Sequence, residues 1–215
     1  DDGFFAALVN HKTDKKYHYI VTDKAGKSSL YYDPYQFEVS LTDDEINKLN
    51  SGLHYRSYEV LGAHFTDMDG LEGVVFRVWA PNAVRVSVVG DFNNWNGKVN
   101  PMIRHDDTGI FQLFIPGLAE GLNYKYEICM HGGLTHLKAD PYAVCSQKSP
   151  ETASVLCRES SFAWNDDEWL MTRASFDTKS SPLSIYELNL HAFKEETGAN
   201  KSLSEISKEV IPYVR

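Results

Sequence analysis

The clearest pattern along the chain is a series of short segments in which apolar and polar positions alternate. Val74, Phe76 and Val78 alternate with Val75, Arg77 and Trp79, and Val84, Val86 and Val88 alternate with Arg85 and Ser87. Phe111, Leu113 and Ile115 repeat the pattern, as do Tyr124, Tyr126 and Ile128 around Lys125 and Glu127. A period of two puts successive side chains on opposite faces of a strand, so each segment predicts a strand with one apolar face. Turn residues separate them: Asp69-Gly70, Pro81-Asn82, the stretch from Gly90 to Gly97, Pro116-Gly117, Gly121 and Gly132-Gly133. Asp-Gly between alternating runs is a hairpin signal. Trp79, inside such a run, is expected to be buried.

Short strands at this spacing predict a β-sandwich of immunoglobulin type. The flanks read differently. Tyr17, Tyr19 and Val21 alternate noisily with His18 and Ile20, Ala25-Gly26 supplies a turn, and Leu30-Tyr31-Tyr32 begins a second short strand. Thr42 and Glu45 have capping-box spacing before Ile46, Leu49 and Leu53, and Gly52 lies where that helix would stop. Beyond the sandwich, residues 159–183 are polar and Ser-rich, with Trp164 and Trp169. The run from Ile185 to Leu190 then predicts a strand. Ser202 to Arg215 predicts a helix with a Ser202–Glu205 capping box, an apolar face at Leu203, Ile206, Val210 and Val214, and a kink at Pro212. One strand–helix unit cannot bury itself, so it packs on the sandwich or opens a larger domain.

Composition narrows the chemistry. The 215 residues carry 21 Lys+Arg against 30 Asp+Glu, a net charge of −9, with no basic cluster to displace counterions from a phosphate backbone; no nucleic-acid partner is expected. No run of ~18 apolar residues predicts a membrane span. Cys129, Cys145 and Cys157 include no C-x-x-C pair and are expected to be reduced thiols in a cytoplasmic protein. The eight histidines show no metal-ligand spacing, and phosphate-loop, dinucleotide and hydrolase motifs are absent, so no metal or cofactor is expected. The suggestive feature is Gly90-Asp91-Phe92-Asn93-Asn94-Trp95-Asn96-Gly97, a loop directly after a strand. A flat ring flanked by amides suits a sugar, whose C–H face stacks on an aromatic while its hydroxyls take hydrogen bonds. Lys125, on the polar side of a later strand, adds a donor. The residues equally fit a Trp95 ring packed under its own loop.

At these residues the sequence resembles a known family. Phe76-Arg77-Val78-Trp79-Ala80-Pro81-Asn82-Ala83 and Val86-Ser87-Val88-Val89-Gly90-Asp91-Phe92-Asn93-Asn94-Trp95 resemble the family 48 carbohydrate-binding module. Gly121-Leu122-Asn123-Tyr124-Lys125-Tyr126-Glu127 matches its second landmark. Leu53 to His64, Leu137 to Ala143, Thr152-Ala153-Ser154 and Trp164 to Trp169 resemble the branching-enzyme branch of the α-amylase-type enzymes. Ser184 to Leu190 is similar to the first barrel strand of those enzymes, and Asp33 to Phe37 to the end of an extra N-terminal β-domain. The resemblance implies a mostly β chain in three parts. Residues 1–52 are part of a small β-domain with a short helix. Residues 53–158 are the module. Residues 159–215 are a linker and the first βα unit of a (β/α)8 barrel.

For function the resemblance implies the N-terminal part of a retaining enzyme that moves α-1,4-glucan segments onto a 6-hydroxyl. The catalytic carboxylates of that family lie on later barrel strands, so this chain alone is expected to be inactive, with α-glucan (glycogen, maltooligosaccharides) and the remaining barrel as partners. Trp95 transfers as the stacking residue, Lys125 as a hydroxyl ligand, and Asn94 beside them. The glycogen-binding domain of the AMP-activated kinase β subunit, a relative of this module, carries a second tryptophan after its hairpin turn; the aligned place here is Leu134, so a double aromatic platform is not expected. A debranching enzyme and a stand-alone glycogen-targeting module are the alternatives. Residues 58–64 argue against the first and residues 184–215 against the second.

Overall fold

The first alternating stretch folds as a hairpin. In the computed structural model, which describes residues 17–105, 108–158 and 162–214, β1 (His18–Thr22) pairs antiparallel with β2 (Ser28–Tyr32), His18 opposite Tyr32. The part of the expected N-terminal β-domain in residues 1–16 lies outside the described residues. Helix α1 (Asp43–Asn50) starts at the expected box. Thr42 Oγ1 accepts the Glu45 N–H at 3.2 Å, and the Glu45 carboxylate accepts the Thr42 N–H at 2.7 Å. Two otherwise orphaned donors of the first turn are thereby satisfied.

The chain divides into two compact units, Asp1–Ser160 and Ser161–Arg215. In the first, the alternating segments become β3 (Gly62–Met68), β4 (Leu71–Trp79), β5 (Ala83–Gly90), β6 (Ile103–His105), β7 (Ile110–Pro116), β8 (Asn123–Met130), β9 (Thr135–Lys138), β10 (Cys145–Ser146) and β11 (Ser154–Val155). One antiparallel sheet has the order β3-β4-β7-β6. The other has the order β10-β11-β8-β5, with β9 also on β8. Asp69 and Gly70 make the β3–β4 turn with both φ angles positive, 58° and 79°, the primed geometry whose twist matches paired strands.

The inward positions are those the alternation marks, except at the start of β5, where a register shift between Ala83 and Arg85 turns Ala83 inward and leaves Val84 exposed. Val74, Phe76, Val78, Val86, Val88, Phe111, Leu113, Ile115, Tyr124 and Tyr126 form one buried cluster between the sheets. Each large apolar side chain buried there contributes roughly 1.5–3 kcal/mol. The Phe76 and Tyr124 rings meet edge to face at 5.3 Å. The outer face of the β4–β7 sheet is covered as well. Phe37 packs on Val75 and Phe114, its ring 4.9 Å from that of Phe114, and Gln112 Nε2 donates to Val39 O at 2.7 Å. Burial on both faces explains why Val74-Val75-Phe76 reads as a continuous apolar run rather than a clean alternation.

Trp79 corrects the sequence reading. It ends β4 and is 61% exposed, with its indole N–H donating to Thr108 O at 3.1 Å. Its phase puts it with Val75 and Arg77 on the outer face of the sheet, away from the inner cluster of Val74, Phe76 and Val78.

In the second unit, α2 (Asp167–Ser175) occupies the stretch read as a polar linker. Asp167 and Glu168 open it and Arg173 lies in its last turn, charges that complement the helix dipole. Helix α3 (Leu203–Val214) starts at the Ser202–Glu205 box, with Ser202 N–H donating to Glu205 Oε2 at 2.8 Å, and it buries Ile206. Residues 185–189 form no ladder among the described residues. Strand hydrogen bonds need a neighbouring strand, which sequence alternation cannot supply. The three cysteines are free thiols. Among the described residues no helix is long and apolar enough to cross a membrane, and no group of His, Cys, Asp and Glu has the makings of a metal site.

Candidate functional site

The loop after β5 is an excursion closed at its base. Val88 N–H donates to Asn100 O at 3.0 Å and Met102 N–H to Val86 O at 2.8 Å, so the chain leaves β5 and returns beside it. Asn93, 7% exposed, is the internal brace. Its Oδ1 accepts the Gly90 N–H at 3.0 Å, and its Nδ2 donates to Val88 O at 2.9 Å and Asn100 Oδ1 at 2.8 Å. Both amide ends are therefore matched to buried backbone and side-chain partners, as a buried amide requires.

The two glycines that bound the loop are there for close approach. A Cβ on Gly90 would collide with Asn123 O and the Phe92 ring, and one on Gly97 would collide with the Glu127 carboxylate. Arg85 holds that carboxylate in place. Its Nη2 donates to Glu127 Oε1 at 2.9 Å, while its Nη1 donates to Gly97 O at 2.8 Å and Ser87 Oγ at 2.9 Å.

Asn94 and Trp95 sit at the tip with φ of 52° and 58°. The left-handed region is an outlier for a bulky residue and persists only where surroundings impose it. Here Trp95 N–H donates to Gly90 O at 3.0 Å and its indole N–H to Asp91 Oδ1 at 3.3 Å. Asn94 is exposed and Trp95 is 38% exposed, so the ring is not packed away under its loop.

Lys125 lies opposite Val89, the residue before the loop begins, and cross-strand partners share a face of the sheet. Its neighbours Tyr124 and Tyr126 point inward, and both hydroxyls donate to the buried Asp140 Oδ2, at 2.7 and 3.1 Å. Burial raises the Asp140 carboxyl above the usual range, although these bonds oppose the shift, and burial also raises both tyrosines. With its neighbours locked inward, Lys125 is held on the outer face. Its Nζ donates to Thr152 Oγ1 at 2.7 Å. An ammonium has three donor hydrogens, so two remain for other acceptors. Leu134, after the Gly132-Gly133 turn, is exposed.

The structure thus puts Trp95, Asn94 and Lys125 around one end of the β5–β8 pair. Sequence reading missed the parts that hold them: Asp91, Asn93, Arg85, Glu127 and Thr152. Gly90 and Gly97 were the available signal, since glycines bounding an aromatic loop mark close backbone approach.

Comparison with known proteins places this architecture. Residues 60–143, which contain the loop and Lys125, match the family described as carbohydrate-binding module 48 (isoamylase N-terminal domain). The β-sandwich is a module of that class. The chain as a whole resembles the N-terminal region of bacterial branching enzymes. It is 40% identical over 205 residues to the 1,4-alpha-glucan branching enzyme GlgB of Methylococcus capsulatus, a match spanning 94% of this chain and 28% of that enzyme. It is 45% identical over 183 residues to the enzyme of the same name from Pseudomonas aeruginosa, spanning 85% of this chain and 25% of that enzyme. The chain therefore spans between a quarter and a third of the length of these relatives. Among solved structures, a pullulanase of Klebsiella pneumoniae complexed with maltotriose aligns with 45% of this chain and 9% of its own, at 28% identity and a TM-score of 0.35.

Proposed function

We propose that this chain is the α-glucan-binding and scaffolding N-terminal part of a cytoplasmic 1,4-α-glucan branching enzyme, an enzyme that transfers α-1,4-glucan segments to a 6-hydroxyl. In this reading residues 1–52, 53–158 and 159–215 are a partial β-domain, the module, and a linker with the start of the barrel. The catalytic carboxylates belong to the rest of the enzyme, and the chain alone is inactive. The alignment to branching enzymes favours this over a debranching enzyme or a free-standing targeting module.

The observation that carries the proposal is Trp95: an aromatic ring, exposed and fixed in a left-handed loop, on the strand end that also presents Lys125. A glucose ring stacks its C–H face on the indole. The two remaining Lys125 hydrogens and the Asn94 amide meet hydroxyls at its edge. With one aromatic and few polar contacts, affinity falls in the millimolar to high-micromolar range, about 4–6 kcal/mol.

Titration of the chain with maltoheptaose, beside Trp95→Ala, tests it. Saturable binding that the substitution abolishes is the expected result. A folded wild type that does not bind would mean that the module braces the barrel and the assigned site is wrong.

A further inference from the structure

Three hydrogen-bond donors converge on the Asp91 carboxylate. Oδ1 accepts the Trp95 indole N–H at 3.3 Å, and Oδ2 accepts both the backbone N–H and the side-chain amide of Asn123, each at 2.9 Å. An indole N–H and a backbone N–H can only donate. A carboxylate, which only accepts, meets all three partners at once. An amide of the same shape cannot, because it turns its own N–H toward either the indole or Asn123. The chemistry of residue 91 therefore matters beyond its size.

The position of this junction adds to the argument. Asn123 opens β8, two residues before Lys125. The carboxylate thus ties the tip of the loop to the strand that carries the second polar contact. The Trp95 backbone is already in an unfavourable region, and the ring stands 38% exposed, where an untethered indole samples several rotamers. A ring that is ordered before the ligand arrives loses less freedom on binding.

We propose that Asp91 is the positioning residue of the glucan loop, fixing the Trp95 indole relative to Lys125; this assignment rests on the glucan reading above. It implies no direct contact between Asp91 and the sugar.

The test uses the full chain and two readouts, maltoheptaose affinity and the nitrogen–proton spectrum of the indole groups. The chain has four tryptophans, and the Trp95 signal is the one missing in Trp95→Phe. Asp91→Asn is expected to displace that signal, leave the other three in place, and weaken maltoheptaose about tenfold, the scale of one charge-assisted hydrogen bond. Asn123→Ala, which removes one of the three donors and keeps the backbone one, is expected to give a smaller loss in the same direction. Wild-type affinity in Asp91→Asn, with binding still abolished by Trp95→Ala, overturns the role of Asp91 and leaves the glucan site standing. Absence of binding by the folded wild type removes both. Should Asp91→Asn unfold the chain, Asn123→Ala decides: an unmoved indole signal with unchanged affinity overturns the proposal.

Discussion

Asn93→Ala is the most direct probe of how the sandwich supports the loop. The side chain is almost fully buried and makes three hydrogen bonds of 2.8 to 3.0 Å. Truncation withdraws it from the Gly90 N–H, the Val88 carbonyl and Asn100 Oδ1 together. Leaving a buried polar group unpaired costs about 1–3 kcal/mol. The loop lies near solvent, so water relieves part of this, and the low end for each partner gives a total of about 3 kcal/mol. For a module of this size that corresponds to a fall in Tm of about 12 °C. Urea unfolding with an unchanged m-value measures the loss as stability rather than altered compactness. Maltoheptaose binding should weaken alongside, because the same amide closes the base of the turn that ends in Trp95. A loss under about 1 kcal/mol would refute the reasoning, since it would mean the three partners find other bonds without cost. Asn93→Asp is a sharper control. It keeps an acceptor for Gly90 but removes both donors and sets a charge beside two acceptor oxygens, so it should be at least as damaging.

Two further outcomes follow from the same geometry. Gly97→Ala introduces a Cβ into the Glu127 carboxylate that Arg85 holds, and it should cost about 1–3 kcal/mol in urea unfolding while loosening the loop. Asp140 sets a pH dependence. Because burial raises its carboxyl in the folded state, the proton it keeps there stabilises the fold below the ordinary aspartate range, and that contribution is lost as pH rises through the raised value. Urea midpoints taken upward from about pH 4 should fall in the wild type relative to Asp140→Asn, whose amide does not titrate. Parallel profiles would show that Asp140 has the same affinity for protons folded and unfolded.

Much of this molecule follows from local chemistry that a linear chain displays. The Thr42–Glu45 and Ser202–Glu205 boxes act within three residues, so spacing alone locates both helix starts. Asp69-Gly70 can adopt positive φ at both positions, so the β3–β4 turn is legible from two letters. Alternation selects the inward residues of β4, β7 and β8, and of β5 beyond the register shift that exposes Val84, because the side-chain period of a strand is two. The loop after β5 was visible for the same kind of reason: an aromatic among amides between two glycines.

What depended on tertiary structure is whatever required a second segment. Trp79 shares the outer face of β4 with Val75, which Phe37 covers, yet is itself exposed, because burial on that face depends on which segment lies over it. Helix α2 escaped notice because Trp169-Leu170-Met171 are consecutive and mark no single helical face. Residues 185–189 carry a strand-like sequence but no ladder, since backbone partners come from another strand. The contacts that tie the loop to β8 come from far along the chain: Asn123 lies 32 residues from Asp91, and Glu127 lies 42 from Arg85. The sequence by itself therefore determined which residues are chemically suited to meet a sugar. Only the fold decided that they stand at one end of one strand pair, because hydrogen bonds between distant residues exist only once the sheets that bring them together have formed.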